Sequence, residues 1–417
     1  MFNRTQLKEI ILDQQQRQLP TQIIERELFA TLEEYVKNPF VIILIGLRRV
    51  GKSTILQHLK SKYPGYYLNF DDERLIHFGV EDFQLLEEIF LELFGSANFF
   101  YFDEIQNITG WERYIRRLHD SGKKVFLTGS NATMLSKELG THLTGRHLEV
   151  AVFPFSFREF LTLKQYSYTQ KDLFLLEKKV KLKEYFKEYF MEGGLPEYLL
   201  TKNIDYLKTI YNNILYKDII VRYKLPAEKA IKELVYYTAN NVSQEISFNS
   251  IKKMLQVGSA TTIKEYFDYV ENSFLIFLVA KFDYSLKKQI YANKKMYIID
   301  NALAIHLGFR LSDNFGCLLE NLVFIELKRR KKEIYYTTNK QECDFVLKEG
   351  TKITTALQVC YELTAKNKER EVQGLLQALR QFHLPIGIIL TYDQEEEFKE
   401  EHKLIQVIPV WKWLLQE

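Results

Sequence analysis

Through the first 155 residues, short apolar runs alternate with segments of helical spacing. VIILIG (41–46), YYLNF (66–70), NFFYF (98–102), KVFLTGS (124–130) and HLEVAVF (147–153) read as strands. Between them, KSTILQHLKSKY (52–63), EDFQLLEEIFLELF (81–94) and WERYIRRLHDSG (111–122) repeat apolar residues every three or four positions, and ATMLSKEL (132–139) follows the fourth run. Gly122 stands where a helix ends on a left-handed residue. Strands separated by helices pair in parallel, and a parallel sheet must be covered on both faces. The expected fold class is therefore α/β.

Beyond Phe155 the period changes. Residues 178–200 and 203–223 are spaced as long helices, the first broken at GGLPE. Segments 227–241, 247–256 and 259–273 read as shorter helices, followed by extended FLIFLVAKF (274–282) and KMYIID (295–300). Three helices and a hairpin predict a winged helix-turn-helix. Helix 313–331 then leads to two apolar runs, DFVL and ALQVCYEL, on either side of Gly350. That is a hairpin pattern, and helix 366–382 and the strand PIGIILTY (385–392) complete a last α/β segment.

Composition narrows the class without choosing a function. A chain of 417 residues has room for two or three domains of roughly 100–200 residues each. With 46% hydrophobic and 27% charged residues it has the balance of a globular protein. The net charge of +3 is too small to argue for nucleic acid by itself. Cys317, Cys343 and Cys360 have neither metal-ligand spacing nor the look of a disulfide framework, which fits a reducing cytoplasm and speaks against zinc. The polar N-terminus lacks a signal-peptide core, and no apolar run reaches about 18 residues, so no membrane association is expected.

The sharpest chemical signal is Gly46-Leu-Arg-Arg-Val-Gly51-Lys52-Ser53, a G-x-x-x-x-G-K-[ST] loop between a strand and a helix. Glycines let the backbone curl so that N–H groups face phosphates, and the helix N-terminus adds a favourable dipole. Lys52 would reach the terminal phosphates, and Ser53 would ligate Mg²⁺. Gly46, Arg48, Arg49, Val50, Gly51, Lys52, Ser53 and Thr54 are the candidate ATP-binding residues. Two acid clusters compete for the second element, Asp71-Asp72-Glu73 after YYLNF and Asp103-Glu104 after NFFYF. The second follows the more uniformly apolar strand, so Asp103 is expected to hold Mg²⁺ and Glu104 to polarise the attacking water. At the end of the fourth strand, Asn131 is a candidate for touching the γ-phosphate, and Arg146 before the fifth is a candidate source of positive charge, in cis or across a subunit boundary.

GLRRVGKST, the strand with FDE, TGSNATMLSKELGTHLTGRHLEVAVFPFSFREFL and MEGGLPEYL together resemble AAA-type ATP-binding proteins of bacteria and archaea that carry a C-terminal nuclease-like domain. The resemblance covers roughly residues 20–410. It implies an AAA+ core with strand order 5-1-4-3-2, a winged-helix middle and a C-terminal fold like the restriction-endonuclease core. It also implies a C-terminal acidic site, onto which Glu320 and Asp344 match. An acid-x-lysine should follow, and here Gln358-Val-Cys360 stands in its place. Gln offers one carbonyl oxygen and no charge, and Cys is no hard ligand for Mg²⁺, so cleavage should be weak or absent. Glu362 is the nearest acid that could compensate.

The expected organisation is a P-loop AAA+ domain with a helical lead-in over 1–155, a helical lid or linker over 156–225, a winged-helix domain over 226–300 and a restriction-endonuclease-like domain over 301–417. The expected function is slow Mg²⁺-dependent ATP hydrolysis that controls the C-terminal domains. The alternatives are a nucleotide-switched DNA- or protein-binding factor with negligible turnover, and a metal-dependent DNA nuclease. DNA and a protein remain open as partners, and an oligomer is compatible with the sequence.

Overall fold

The computed structural model describes residues 2–16, 23–129, 145–308, 315–338 and 340–416. The chain divides into two compact units, Met1–Phe153 and Pro154–Glu417.

The first unit is built on five parallel strands: β1 (Val41–Ile45), β2 (Tyr66–Asn69), β3 (Phe99–Asp103), β4 (Lys124–Gly129) and β5 (His147–Ala151). They lie in the order β2-β3-β4-β1-β5, which is 5-1-4-3-2 from the other edge. Every residue of the central strands β1 and β4 is buried, which is why β1 is continuously apolar and β4 runs Val-Phe-Leu without alternation between Lys124 and Thr128. The helices are α1 (Arg4–Gln16), α2 (Phe29–Val36), α3 (Lys52–Lys62), α4 (Phe83–Phe94) and α5 (Trp111–Asp120). In α4 the apolar spacing buries Phe83, Leu86, Ile89 and Phe90. Each such side chain withdrawn from water contributes about 1.5–3 kcal/mol.

Two polar devices finish this unit. The edge strand β2 is met by α1: Gln14 accepts from Asn69 N at 2.7 Å and donates to Asn69 O at 3.1 Å, while Gln15 donates to Tyr67 O at 2.9 Å. Side-chain amides thus satisfy part of a backbone edge that would otherwise invite another strand. Lys124 reaches the end of α2 and donates to Asn38 O at 2.8 Å and Phe40 O at 2.7 Å. Burial lowers this ammonium to about 8.

The second unit opens with α6 (Phe157–Leu163), α7 (Leu176–Glu192), α8 (Pro196–Thr201) and α9 (Ile204–Asn213), and the helix after α9 continues as a π-helix over Ile214–Val221. Next come α10 (Glu228–Asn240), β6 (Gln244–Ile246), α11 (Phe248–Met254), α12 (Ala260–Asn272), β7 (Ile276–Ala280), α13 (Leu286–Tyr291) and β8 (Lys294–Ile298). The three strands form an antiparallel sheet in the order β6-β8-β7. Residues 287–295 hold most of α13 and the start of β8.

The remainder is α14 (Asn301–Leu307), α15 (Phe315–Arg329), β9 (Glu333–Thr338), β10 (Glu342–Glu349), β11 (Lys352–Val359), α16 (Lys368–Gln381), β12 (Ile386–Thr391), β13 (Glu396–Glu400), β14 (Lys403–Pro409) and α17 (Val410–Leu414). Six strands form a mixed sheet, β13-β14-β12-β11-β10-β9. The hairpin β10–β11 is antiparallel, with Phe345 opposite Leu357, and α16 packs its Val372, Leu375 and Leu379 into that sheet's core. Phe282 N donates to Tyr336 O at 2.8 Å, linking the chain after β7 to β9. The boundaries expected near residues 225 and 300 fall inside this one unit.

The GGLPE break has a specific cause. Helix α7 ends on Gly193, whose φ of 64° is left-handed. Gly194 N donates to Asp300 Oδ2 at 2.7 Å, and Ala302 N donates to Asp300 Oδ1 at 2.9 Å, capping α14. A Cβ on Gly193 would stand 1.9 Å from Asp300 Oδ1. Burial raises the Asp300 carboxyl to about 7.

Candidate functional site

The row β3-β4-β1 brings three strand ends together in the first unit. Ile45 pairs with Gly129 and Phe102 with Leu127, so the residues that follow β1 and end β3 and β4 share one edge of the sheet. After β1 the chain turns through Gly46 (φ 151°), Arg49 (φ 70°) and Gly51 (φ 96°) before α3 starts at Lys52. A Cβ on Gly46 would come within 2.4 Å of Val152 O, so only glycine lets the loop begin this close to the chain leaving β5. Lys52 is buried, and its Nζ donates to Gly46 O and Leu47 O at 2.9 Å each, folding the ammonium back over its own loop. Ser53 is exposed at the first turn of α3, and Thr54 is half-buried.

Opposite the loop, Asp103 is buried with both carboxylate oxygens engaged: Thr128 Oγ1 donates to Oδ1, and Tyr67 Oη donates to Oδ2 at 3.1 Å. Thr128 Oγ1 also accepts from Glu104 N at 2.9 Å. One hydroxyl on β4 therefore fixes both acidic residues. Glu104 takes a left-handed backbone, φ 52° and ψ 40°, an uncommon conformation for a residue other than glycine. Gln106 Nε2 donates to its Oε2 at 2.5 Å. Burial raises the Glu104 carboxyl; Lys52 pulls it down, the charge of Asp103 adds to the rise, and Arg48 pulls it down again. An anion bound at the loop would face Lys52, and Ser53 and Asp103 are the residues that would hold a divalent cation. The donor set fits a nucleotide phosphate with Mg²⁺.

Arg26 was not legible as part of this site. It is buried and donates from Nη1 to Val50 O at 3.0 Å and from Nη2 to Phe153 O at 2.5 Å, tying the loop to the end of the unit. Thr128 and Tyr67 also escaped the sequence reading, although Thr128 is the one hydroxyl in the apolar run KVFLTG. Asn131 lies outside the described residues. Arg146 is placed away from the loop: its backbone O accepts from Val41 N at 3.0 Å, at the start of β1, about 17 Å of strand from Gly46 at roughly 3.3 Å per residue. Its guanidinium pairs with Asp120 at 2.6 Å. A role for Arg146 on a phosphate of the same chain does not fit this position. Asp72, the rival acid, is bound by Arg74 and Gln14 and held down at about 2, chiefly by Arg74, so it serves the local fold.

In the second unit Glu320, Asp344 and Gln358 do come together, around a residue the sequence did not mark. Lys295 of β8 is buried, and its Nζ lies 2.7 Å from Glu320 Oε1 and 2.8 Å from Asp344 Oδ1, with Glu342 as a third carboxylate partner. Burial alone would lower this ammonium, but Asp344 and Glu320 hold it well above the usual lysine range. Burial, with the charge of Asp344 adding, pushes Glu320 up to about 8. Val359 N donates to Asp344 Oδ2 at 2.9 Å, and Tyr297 Oη donates to Glu320 Oε1 at 2.7 Å. Gln358 Oε1 accepts from Asp344 N at 3.3 Å while its Nε2 donates to Glu371 Oε2 at 2.7 Å. The centre of the acidic group is filled by an ammonium. Among the described residues, no group of three or more His, Cys, Asp or Glu side chains is arranged to hold a metal ion. Glu362 is exposed beyond the end of β11.

Residues 38–161 match the family described as AAA domain, and residues 183–314 match a domain of unknown function, DUF8612. The chain is 34% identical to the uncharacterized protein MJ1544 of Methanocaldococcus jannaschii, over 98% of this chain and 95% of that one. It is 30% identical to an uncharacterized protein of Haemophilus influenzae, over 94% and 99%. Among solved structures, it resembles the RuvB Holliday junction branch migration motor of Thermotoga maritima at 15% identity and a TM-score of 0.30, covering 65% of this chain and 93% of that one. A STAND protein from Pyrococcus horikoshii is matched at 14% identity and a TM-score of 0.27, over 75% and 46%.

Proposed function

The chain belongs to the family of AAA-domain proteins that includes MJ1544, and from that premise we propose that it binds ATP with Mg²⁺ and hydrolyses it slowly, using nucleotide state to control its C-terminal unit. One observation carries the reading: Lys52, Asp103, Glu104 and Thr128 converge at the shared ends of β1, β3 and β4. Binding would draw the Lys52 ammonium from the carbonyls of Gly46 and Leu47 onto phosphate oxygens. Mg²⁺, held by Ser53 and Asp103, would neutralise charge on the phosphates. Asp103 is kept oriented by Tyr67 and Thr128, so it need not reorganise when the metal arrives. Glu104 would orient and deprotonate water once Gln106 releases it, and burial, by raising its carboxyl, makes it a stronger base than an exposed glutamate.

The test is ATP turnover and nucleotide binding in two variants. Lys52→Ala should lose affinity by at least about tenfold, the scale of one charge-assisted hydrogen bond. Glu104→Gln should bind normally and lose turnover by about 10²–10⁴, the range for a general base. Full turnover in both variants would sink the mechanism.

A second reading, a nucleotide-switched factor with negligible turnover, is favoured by the left-handed Glu104 already bonded to Gln106. Binding that depends on ATP, with turnover unaffected by Glu104→Gln, would select it. We read the helices and hairpin over 226–300 as a winged-helix-like region, and 301–417 as restriction-endonuclease-like, supported by the order of elements and the mixed six-stranded sheet. DNA or a protein would be the partner. Metal-dependent cleavage is the weakest reading, because Lys295 fills the place a divalent cation would need. Among the described residues no helix is long and apolar enough to cross a membrane, and a cytoplasmic location is part of this proposal.

A further inference from the structure

The connection between β7 and β8 projects an unusual surface. Helix α13 (Leu286–Tyr291) buries none of its residues. Tyr284 is 81% exposed, Leu286 70%, Ile290 52% and Tyr291 75%. Large apolar and aromatic side chains left in water this densely mark an interaction site. The same stretch is basic: residues 281–294 contain Lys281, Lys287, Lys288 and Lys294 against the single acid Asp283, four positive charges less one negative, or +3. Lys287 and Lys288 are exposed, with Lys288 Nζ 4.0 Å from Asp283 Oδ2, whereas the denser basic run 328–332 is mostly half-buried and pairs Arg329 and Arg330 with Glu326.

The connection is also held in shape. Gln289 Nε2 donates to Asp283 O at 2.5 Å, and Lys294 Nζ donates to Gln289 O at 2.6 Å. Ser285 caps the helix. The exposed side chains are thus presented from a fixed backbone.

The order of residues around the helix separates candidate partners. At about 100° per residue, Leu286, Ile290, Lys287, Tyr291 and Lys288 follow one another around the outward arc. Lys287 stands in the middle of the apolar and aromatic positions. A helix lying in a membrane keeps its lysines off the inserted face. Bases joined by phosphates offer flat apolar faces and negative charge in alternation, which this arc matches. The neighbouring helix α12 speaks against a duplex groove, since its exposed positions include Glu265 and Asp268.

We propose that the β7–β8 connection is a contact site for single-stranded nucleic acid, with Tyr284 and Tyr291 stacking on bases and Lys287 and Lys288 meeting phosphates. The site is independent of the ATP chemistry above, and either can fail alone.

The test uses the full chain at low salt without nucleotide. Its probes are a fluorescent oligothymidylate, a duplex of the same length and phosphatidylglycerol vesicles. The wild type should bind the oligothymidylate more tightly than the duplex. Tyr284→Ala with Tyr291→Ala should weaken binding tenfold or more, and the Tyr→Phe pair should retain it, because stacking needs the ring and not the hydroxyl. Lys287→Gln with Lys288→Gln should flatten the salt dependence by about 0.7 per lost phosphate contact. All four residues are exposed, so the melting temperature should not move. The proposal is overturned by absence of oligothymidylate binding, by undiminished binding in the Tyr→Ala pair, by a preference for duplex, or by vesicle binding that the same variants abolish.

Discussion

Thr128 holds the two acids of the candidate ATP site with one oxygen. Its hydroxyl donates to Asp103 and accepts from Glu104 N, and it is fully buried. Thr128→Val keeps the shape and removes both bonds. Leaving a buried carboxylate oxygen and an N–H without partners costs about 1–3 kcal/mol each. We expect a lower denaturation midpoint and turnover that falls further than nucleotide affinity, measured by urea titration and steady-state kinetics. Equal turnover in the variant would make Thr128 a packing residue only. Lys295 is the corresponding residue of the second unit. Lys295→Met leaves Glu320, Glu342 and Asp344 without their cation, and breaking a buried ion pair costs about 3–5 kcal/mol. The loss should be largest at neutral pH and shrink in acid, where the carboxylates take up protons. A variant as stable as the wild type at pH 7 would mean that solvent reaches the cluster.

At the scale of elements, the joint between α7, α8 and α14 is fixed by Gly193, Gly194 and Asp300. Gly193→Ala places a methyl group against the Asp300 carboxylate at φ 64° and ψ −155°, an essentially glycine-only conformation that alone costs about 1–3 kcal/mol. The change should therefore destabilise by more than about 2 kcal/mol, whereas Ala at Gly95, where a Cβ meets nothing within 4 Å, should cost only the backbone strain. Asp300 adds a pH dependence. Its folded value, about 7, is raised above the ordinary aspartate range, so the folded chain holds a proton the unfolded chain has released. Its contribution is full below about pH 4 and is lost as pH rises towards 7. Asp300→Asn cannot ionise, so the gap between its denaturation midpoint and that of wild type should move in its favour over this window. A gap constant with pH would show the carboxylate to be ionised throughout. The alternation of apolar runs and helical spacing made the five parallel strands and the GGLPE break legible, because both follow from local pattern. The acids Asp103 and Glu104 were legible for the same reason, each standing at the end of a run. Thr128, Tyr67, Arg26 and Lys295 were not, because their partners lie 24 or more residues away in sequence and only the folded sheet brings them together.

For the whole molecule, the division at Phe153 makes a thermodynamic test of control possible. Among the described residues the first unit has one sheet and the second has two, and no sheet crosses Phe153, so thermal unfolding should proceed in two steps rather than one. Lys295→Met should lower the step belonging to the second unit. ATP with Mg²⁺ binds the first unit in our reading, so it should raise that unit's step, by about 2.7 kcal/mol at a hundredfold excess over the dissociation constant. Control of the second unit demands more. A ligand shifts an equilibrium only through a difference in affinity between its states, and coupling between sites is typically about 1–3 kcal/mol. The second step should therefore also rise with ATP, by a smaller amount, and Lys52→Ala should abolish both shifts. If the first step rises and the second stays fixed, the chain binds ATP without passing its state to residues 154–417, and the C-terminal unit, with any nucleic-acid contact at α13, would act on its own.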